Sequence, residues 1–246
     1  MNQTVIKSIL ALSALYMLSG CAATQVALSK KNLDVQTKMS ATLFLDPIDE
    51  EKRKTIYVVV KNTSDKSEFQ ISDEMRNALQ SKGFKVVSKM NQAAFVLQVN
   101  VLQVGKADPN AAEAAMYKGY GADGVALGAG AAYVAGGSDK AMVGAGILGG
   151  IASVVADSLV KDVHFSVITD VQIKERLSGK GKAQNTTLHY NESGTSGGTF
   201  SSYSEKSEWK IYQTRILSSA NKVNLEFAQA APELKRALVQ SISGIF

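Results

Sequence analysis

Hydrophobic and polar positions alternate along several stretches of the chain. Val163, Phe165, Val167, Thr169, Val171 and Ile173 alternate strictly with their neighbours, which predicts a long strand leaving at Glu175 and Arg176. Phe95, Leu97, Val99 and Val101 alternate with Gln98 and Asn100, a strand with one wetter face. Trp209, Ile211, Gln213, Arg215 and Leu217 share one face of a further strand, and Lys210, Tyr212, Thr214 and Ile216 the other. Thr55 to Val60 is β-branched and aromatic, Ala41 to Leu45 is apolar and stopped by Asp46-Pro47, and Phe84 to Val87 is short; all three read as strands. Helical spacing appears at Ile71, Met75, Ala78 and Leu79, with Ser67 and Gln70 as a capping box and Gly83 as C-terminal cap. Ala111 to Lys118 is Ala-rich and reads as helix. Leu234, Leu238, Ile242 and Ile245 form the core stripe of a last helix, with Pro232 in its first turn. Ala22 to Asp34 reads as a tether or a first helical turn, and Ser178 to Ser207 as an irregular hairpin loop.

One stretch has neither period. Gly119 to Val160 holds more than half of the 20 glycines. Two apolar runs flank Gly136-Gly137-Ser138-Asp139-Lys140, a turn composition. Gly124, Gly128, Ala132 and Gly136 lie four apart, as do Ala145 with Gly149 and Gly146 with Gly150. That spacing lines small residues along one helix face, as in helices packed in lipid. Each arm is long enough as helix to cross a hydrocarbon core. The expectation is an inserted membrane hairpin, packed and oligomerised through these small residues, with Ser138, Asp139 and Lys140 as a specificity-setting tip. A buried helical hairpin or a Gly/Ala linker is the alternative.

The first residues do a different job. Lys7 is a positive n-region, Ile9 to Met17 a short apolar core, and Leu18-Ser19-Gly20 leads into Cys21, the one cysteine. This resembles a bacterial lipobox. The resemblance implies that Cys21 is S-diacylated, becomes the mature N-terminus and is N-acylated, and that Ala22 directs the protein to the outer membrane. Several acyl chains make such an anchor effectively permanent.

Composition narrows the function. A net charge of +5, reduced by one when Lys7 is removed, with no long basic run, does not indicate nucleic-acid binding. One cysteine and two histidines are too few for a Cys/His zinc site. Gly119 to Gly124 matches G-x-G-x-x-G, but no strand leads into it, as a dinucleotide site requires. His164 beside Asp162 reads as a structural strand-face histidine. Trp209, Tyr212 and Tyr57 read as sheet-face aromatics. No cofactor, metal or catalytic residue is expected.

Lys31 to Ser40, Val60 to Lys66, Thr169 to Ile173, Tyr212 to Arg215 and Ser219 to Leu225 resemble the TraT family of plasmid-borne outer-membrane lipoproteins. The resemblance covers essentially the whole mature chain. It implies an abundant, oligomeric, surface-exposed lipoprotein without enzymatic activity. Such a protein reduces conjugative transfer into cells already carrying a related plasmid and protects against complement. Its partners would be outer-membrane lipid, further copies of itself and a conjugation surface factor of the donor cell, with no nucleic acid and no small-molecule substrate. A pore or secretion component is the competing reading.

The fold class expected is α+β, a mostly antiparallel sheet body with flanking helices, interrupted by the Gly/Ala-rich apolar helical hairpin. The expected divisions are a signal peptide over 1–20, the first half of the body over 21–118, the hairpin over 119–160 and the second half over 161–246.

Overall fold

The alternating segments build one six-stranded sheet. The structure is a computed structural model describing residues 29–47, 54–117, 161–177, 183–192 and 198–246. Its strands are β1 (Asp34–Met39), β2 (Thr55–Asn62), β3 (Lys85–Val86), β4 (Phe95–Lys106), β5 (Asp162–Arg176), β6 (Ala183–Glu192), β7 (Gly198–Ser207) and β8 (Trp209–Val223). Its helices are α1 (Ser72–Ser81), α2 (Pro109–Tyr117) and α3 (Phe227–Ser243), with a short 3-10 turn at Met90–Gln92.

Sheet order is β1-β8-β5-β4-β2-β3. β5 and β8 pair antiparallel along their full length, from Asp162 opposite Val223 to Arg176 opposite Trp209. β4 runs antiparallel to β5, and β1 to β8. β2 is parallel to both β4 and β3; parallel pairing needs a crossover, and α1 lies in it. β6 and β7 form a separate antiparallel pair between β5 and β8 in the chain.

The period of two sends alternate side chains to opposite faces. On one face Val167, Val171 and Ile173 of β5, Ile216 and Ala220 of β8, and Leu97, Val99 and Val101 of β4 are buried in a single cluster. α1 closes it with Met75 and Leu79, and α3 with Leu234, Leu238 and Ile242. Phe84, Phe95 and Phe246 meet edge to face with ring centres 5.4–6.1 Å apart, so the chain's last residue seals one end. On the other face a smaller cluster joins Ile168 and Leu217 to Ala107 and to Ala112, Ala115 and Met116 of α2.

The expected fold class is corrected by this arrangement. The described protein is mostly β, a sheet curled into a half-barrel with three helices. No inserted apolar helical hairpin is found among the described residues, and no helix among them is long and apolar enough to cross a membrane. Residues 119–160, on which the hairpin was expected, lie outside the described residues.

Smaller corrections follow local physics. The first strand is Asp34–Met39, where no strand was expected, whereas Ala41–Leu45 makes no ladder. The backbone ladder ends where Ser40 N donates to Arg215 O. Beyond it the Thr214 hydroxyl donates to Ala41 O at 2.9 Å and accepts from Ala41 N at 3.3 Å. One side chain stands in for the ladder, while Leu43 and Leu45 still pack on the core and Phe44 is 81% exposed. The capping box does not start α1: its cap is Ile71, with no side-chain bond, and Gln70 Nε2 donates to Ser67 O upstream. Gly83 does follow the helix with φ +86°, a left-handed conformation that favours glycine. Pro232 lies inside α3, which begins five residues earlier. Ala183–Glu192 and Gly198–Ser207 are paired strands where an irregular loop was expected.

Candidate functional site

The α2 side of the sheet holds a buried ion pair. Asp170 and Arg215 face each other across β5 and β8. Arg215 has no exposed surface. Its Nε donates to Asp170 Oδ1 at 2.7 Å and its Nη2 to Oδ2 at 3.0 Å, the two-pronged geometry that suits guanidinium to carboxylate. The remaining fork nitrogen, Nη1, donates to Ala115 O at 3.2 Å. Ala115 is in the last turn of α2, so a buried cation meets the negative end of that helix.

The other end of α2 is held by Asp108, whose Oδ1 accepts from the Asn110 and Ala111 amides at 3.0 Å each, an N-cap arrangement. Lys38 of β1 bonds Glu113 at 2.9 Å. That hydrogen bond, then the charge of Glu113, raises the Lys38 pKa. Ala112 and Ala115 supply the small surface that lets the helix sit close. α2 is therefore fixed at both ends and one side, immediately before residue 118.

Between α2, β1 and the start of β5 lies a groove of about 170 Å³ lined by Lys38, Glu113, His164, Ser166, Ser219 and Asn221 among others. Asn221 Nδ2 donates to Asp162 Oδ1 at 2.5 Å and to Val163 O at 3.1 Å. His164 Nε2 is 3.5 Å from Asp162 Oδ2, so the expected neighbours do meet. No cluster of metal-ligating side chains occurs among the described residues.

The far end of the sheet holds a second polar set. Glu175 is buried, and Tyr212 donates its hydroxyl to Glu175 Oε2 at 3.0 Å. Burial, and then that bond, hold the Tyr212 phenol above its usual range. Arg176 lies 4.3 Å over the Trp209 ring and donates Nε to Ala93 O, fixing the point where β5 and β8 lead toward β6 and β7. Tyr212 and Trp209 are structural here, as their alternating positions suggested. Tyr57, the third of the expected aromatics, is half-buried on β2.

None of the residues expected from sequence to carry function lies within the described structure. Cys21, the packing positions Gly124, Gly128, Ala132, Gly136, Gly146, Gly149 and Gly150, and the tip Ser138, Asp139 and Lys140 all fall outside it. The Arg215–Asp170 pair was missed, because Asp170 falls in the polar phase of its strand's alternation and Arg215 shares a face with Gln213.

Known proteins match nearly the whole chain. The family model described as "Enterobacterial TraT complement resistance protein" matches residues 32–246. A TraT complement resistance protein of Escherichia coli is 37% identical over 235 residues, covering 95% of this chain and 95% of that relative. The one from Escherichia coli strain K12 is also 37% identical, with 95% and 94% covered. A TraT complement resistance protein of Wigglesworthia glossinidia brevipalpis is 27% identical over 232 residues, with 93% and 91% covered. A family match over residues 32–246 includes every strand and helix described above, and the chain belongs to the TraT complement resistance protein family.

Proposed function

We propose that this protein is an acyl-anchored outer-membrane lipoprotein that protects its cell from complement and reduces entry of related conjugative plasmids. The observation that carries the complement reading is the near full-length match to relatives named for complement resistance. The anchor is read from Leu18-Ser19-Gly20-Cys21 after a short apolar run. Plasmid exclusion, self-association and the donor-cell partner come from the family resemblance alone. The protein acts by contact. In the described body, the buried polar side chains serve to hold α2 and the sheet together, which suits a rigid platform rather than a reacting centre.

The test is expression in a serum-sensitive Gram-negative strain, comparing the wild-type chain with Cys21→Ser. Wild type is expected to raise survival in fresh serum at least several-fold and to leave survival in heat-inactivated serum unchanged. Equal killing of expressing and empty cells would refute the complement reading. The same cells used as mating recipients report exclusion separately. Cys21→Ser is expected to lose palmitate incorporation and outer-membrane fractionation, because no thiol remains for the lipid.

A further inference from the structure

We propose that the end of the sheet bearing Lys30, Lys31, Lys106, Lys161 and Lys222 lies against the anionic phospholipid headgroups of the membrane that holds Cys21; this rests on the anchor reading above. The five lysines converge through the backbone. Val223 N donates to Lys30 O at 2.9 Å, and Asn224 N to Lys161 O at 2.8 Å. Lys161 N in turn donates to Asn224 Oδ1. Lys222 stands opposite Val163, and Lys106 opposite Phe165. Lys31, Lys106 and Lys161 are exposed, and none of the five makes an ion pair among the described residues. The nearby carboxylates keep their charge, but among the described residues none of them pairs with these lysines. Asp162 is held by Asn221 and His164, Asp108 caps α2, and Asp34 accepts from Gln36. Asp34, Asp162 and Glu226 stand exposed beside the lysines.

Charge by itself does not choose this end. Lys54, Lys82, Lys85 and Lys89 gather at the opposite one, where Thr55 faces Lys85 and Phe95 faces Glu175. Reach decides. Cys21 precedes Ser29 by eight residues, which span at most about 29 Å when fully extended. The 15-residue β8 runs from the Trp209 end to Val223, beside Lys30, a length of roughly 45 Å. A lipid tether joined at the Lys30 end is too short to set the far end on the bilayer with the near end pointing away. Headgroup phosphates meeting the near lysines gain an attraction that falls off within about a Debye length, roughly 8–10 Å.

The acylated full-length mature protein tests this, because its natural cysteine is already blocked by lipid. Single cysteines Lys222→Cys, Lys106→Cys and Lys82→Cys carry a fluorophore. The protein is reconstituted into phosphatidylethanolamine–phosphatidylglycerol vesicles containing headgroup spin-labelled lipid. Quenching is expected to be several-fold stronger at positions 222 and 106 than at 82. Adding Lys161→Glu and Lys31→Glu to the position-222 variant is expected to weaken its quenching. Lys161→Gln with Lys31→Gln is expected to weaken it less, and phosphatidylcholine vesicles are expected to mimic charge reversal. Stronger quenching at 82, equal quenching at both ends, or indifference to charge reversal each overturns the proposal. Mass analysis of the same sample separates the two levels. Unacylated Cys21 refutes the anchor and this orientation together, whereas acylated protein quenched at position 82 refutes the orientation alone.

Discussion

A guanidinium with no exposed surface must find every partner inside the protein, and Arg215 does so with Asp170 and Ala115 O. Arg215→Met leaves Asp170 buried without its countercharge and is expected to destabilise the body by about 3–5 kcal/mol. Arg215→Met with Asp170→Leu is expected to recover most of that loss, because an apolar pair of similar size removes both desolvation costs. Urea midpoints of the two variants decide it; equal midpoints would show that the pair is not coupled. Tyr212 gives a pH dependence. Its phenol is raised above the ordinary value of 10.0, so folding favours the protonated form. The stabilisation is complete below pH 10 and is lost as pH rises through the folded value. Thermal midpoints of wild type should fall progressively above the ordinary phenol value of 10.0, and Tyr212→Phe should flatten that fall. At this scale the sequence was partly legible. Strand alternation placed Tyr212, His164 and Trp209 on sheet faces. It offered no means of pairing Asp170 with Arg215, which are 45 positions apart and meet only through the β5–β8 register.

Elements with a clean period were legible, and those whose role depends on a neighbour were not. β4, β5 and β8 carry their own alternation and appear where it predicts. β1 is an edge strand with Asp34, Gln36 and Lys38 on one side, and the core-facing side offers two apolar residues, Val35 and Met39, with Thr37 between them bonded to Ser218. Ala41–Leu45 has the more apolar sequence, yet Thr214 occupies the hydrogen-bonding groups of Ala41. α3 shows the same limit: the stripe of Leu234, Leu238 and Ile242 is correct, but the helix starts at Phe227 and carries Pro232 within it. A proline there supplies no amide to the Ala228 carbonyl one turn earlier. Pro232→Ala is expected to stabilise the protein by about 1–3 kcal/mol, the restored bond outweighing the greater freedom of the unfolded chain. A thermal midpoint at or below that of wild type would mean that the helix bends to accommodate the ring.

For the whole molecule, the apolar stretches announced a sheet with helices, but strand order was hidden because it is set by contacts between distant parts of the chain. The functional residues expected from sequence stand outside the described structure, so their family assignment came from motifs and relatives rather than geometry. β1 lies beside β8, with Asp34 opposite Asn221, and this pairing joins the first strand to the last. The consequence is temporal. A chain that emerges N-terminus first cannot complete its sheet until nearly all of it has appeared. β2, α1 and β4 can assemble early as a parallel unit, but β1 must wait, its edge unpaired, for the last strand to be made. Closing such a long loop before any contact rewards it makes folding slow. Pulse-labelled hydrogen exchange during refolding should therefore protect the amides of Val59 and Val99 well before that of Gln36. Simultaneous protection of all three would mean that the first and last strands meet at the outset.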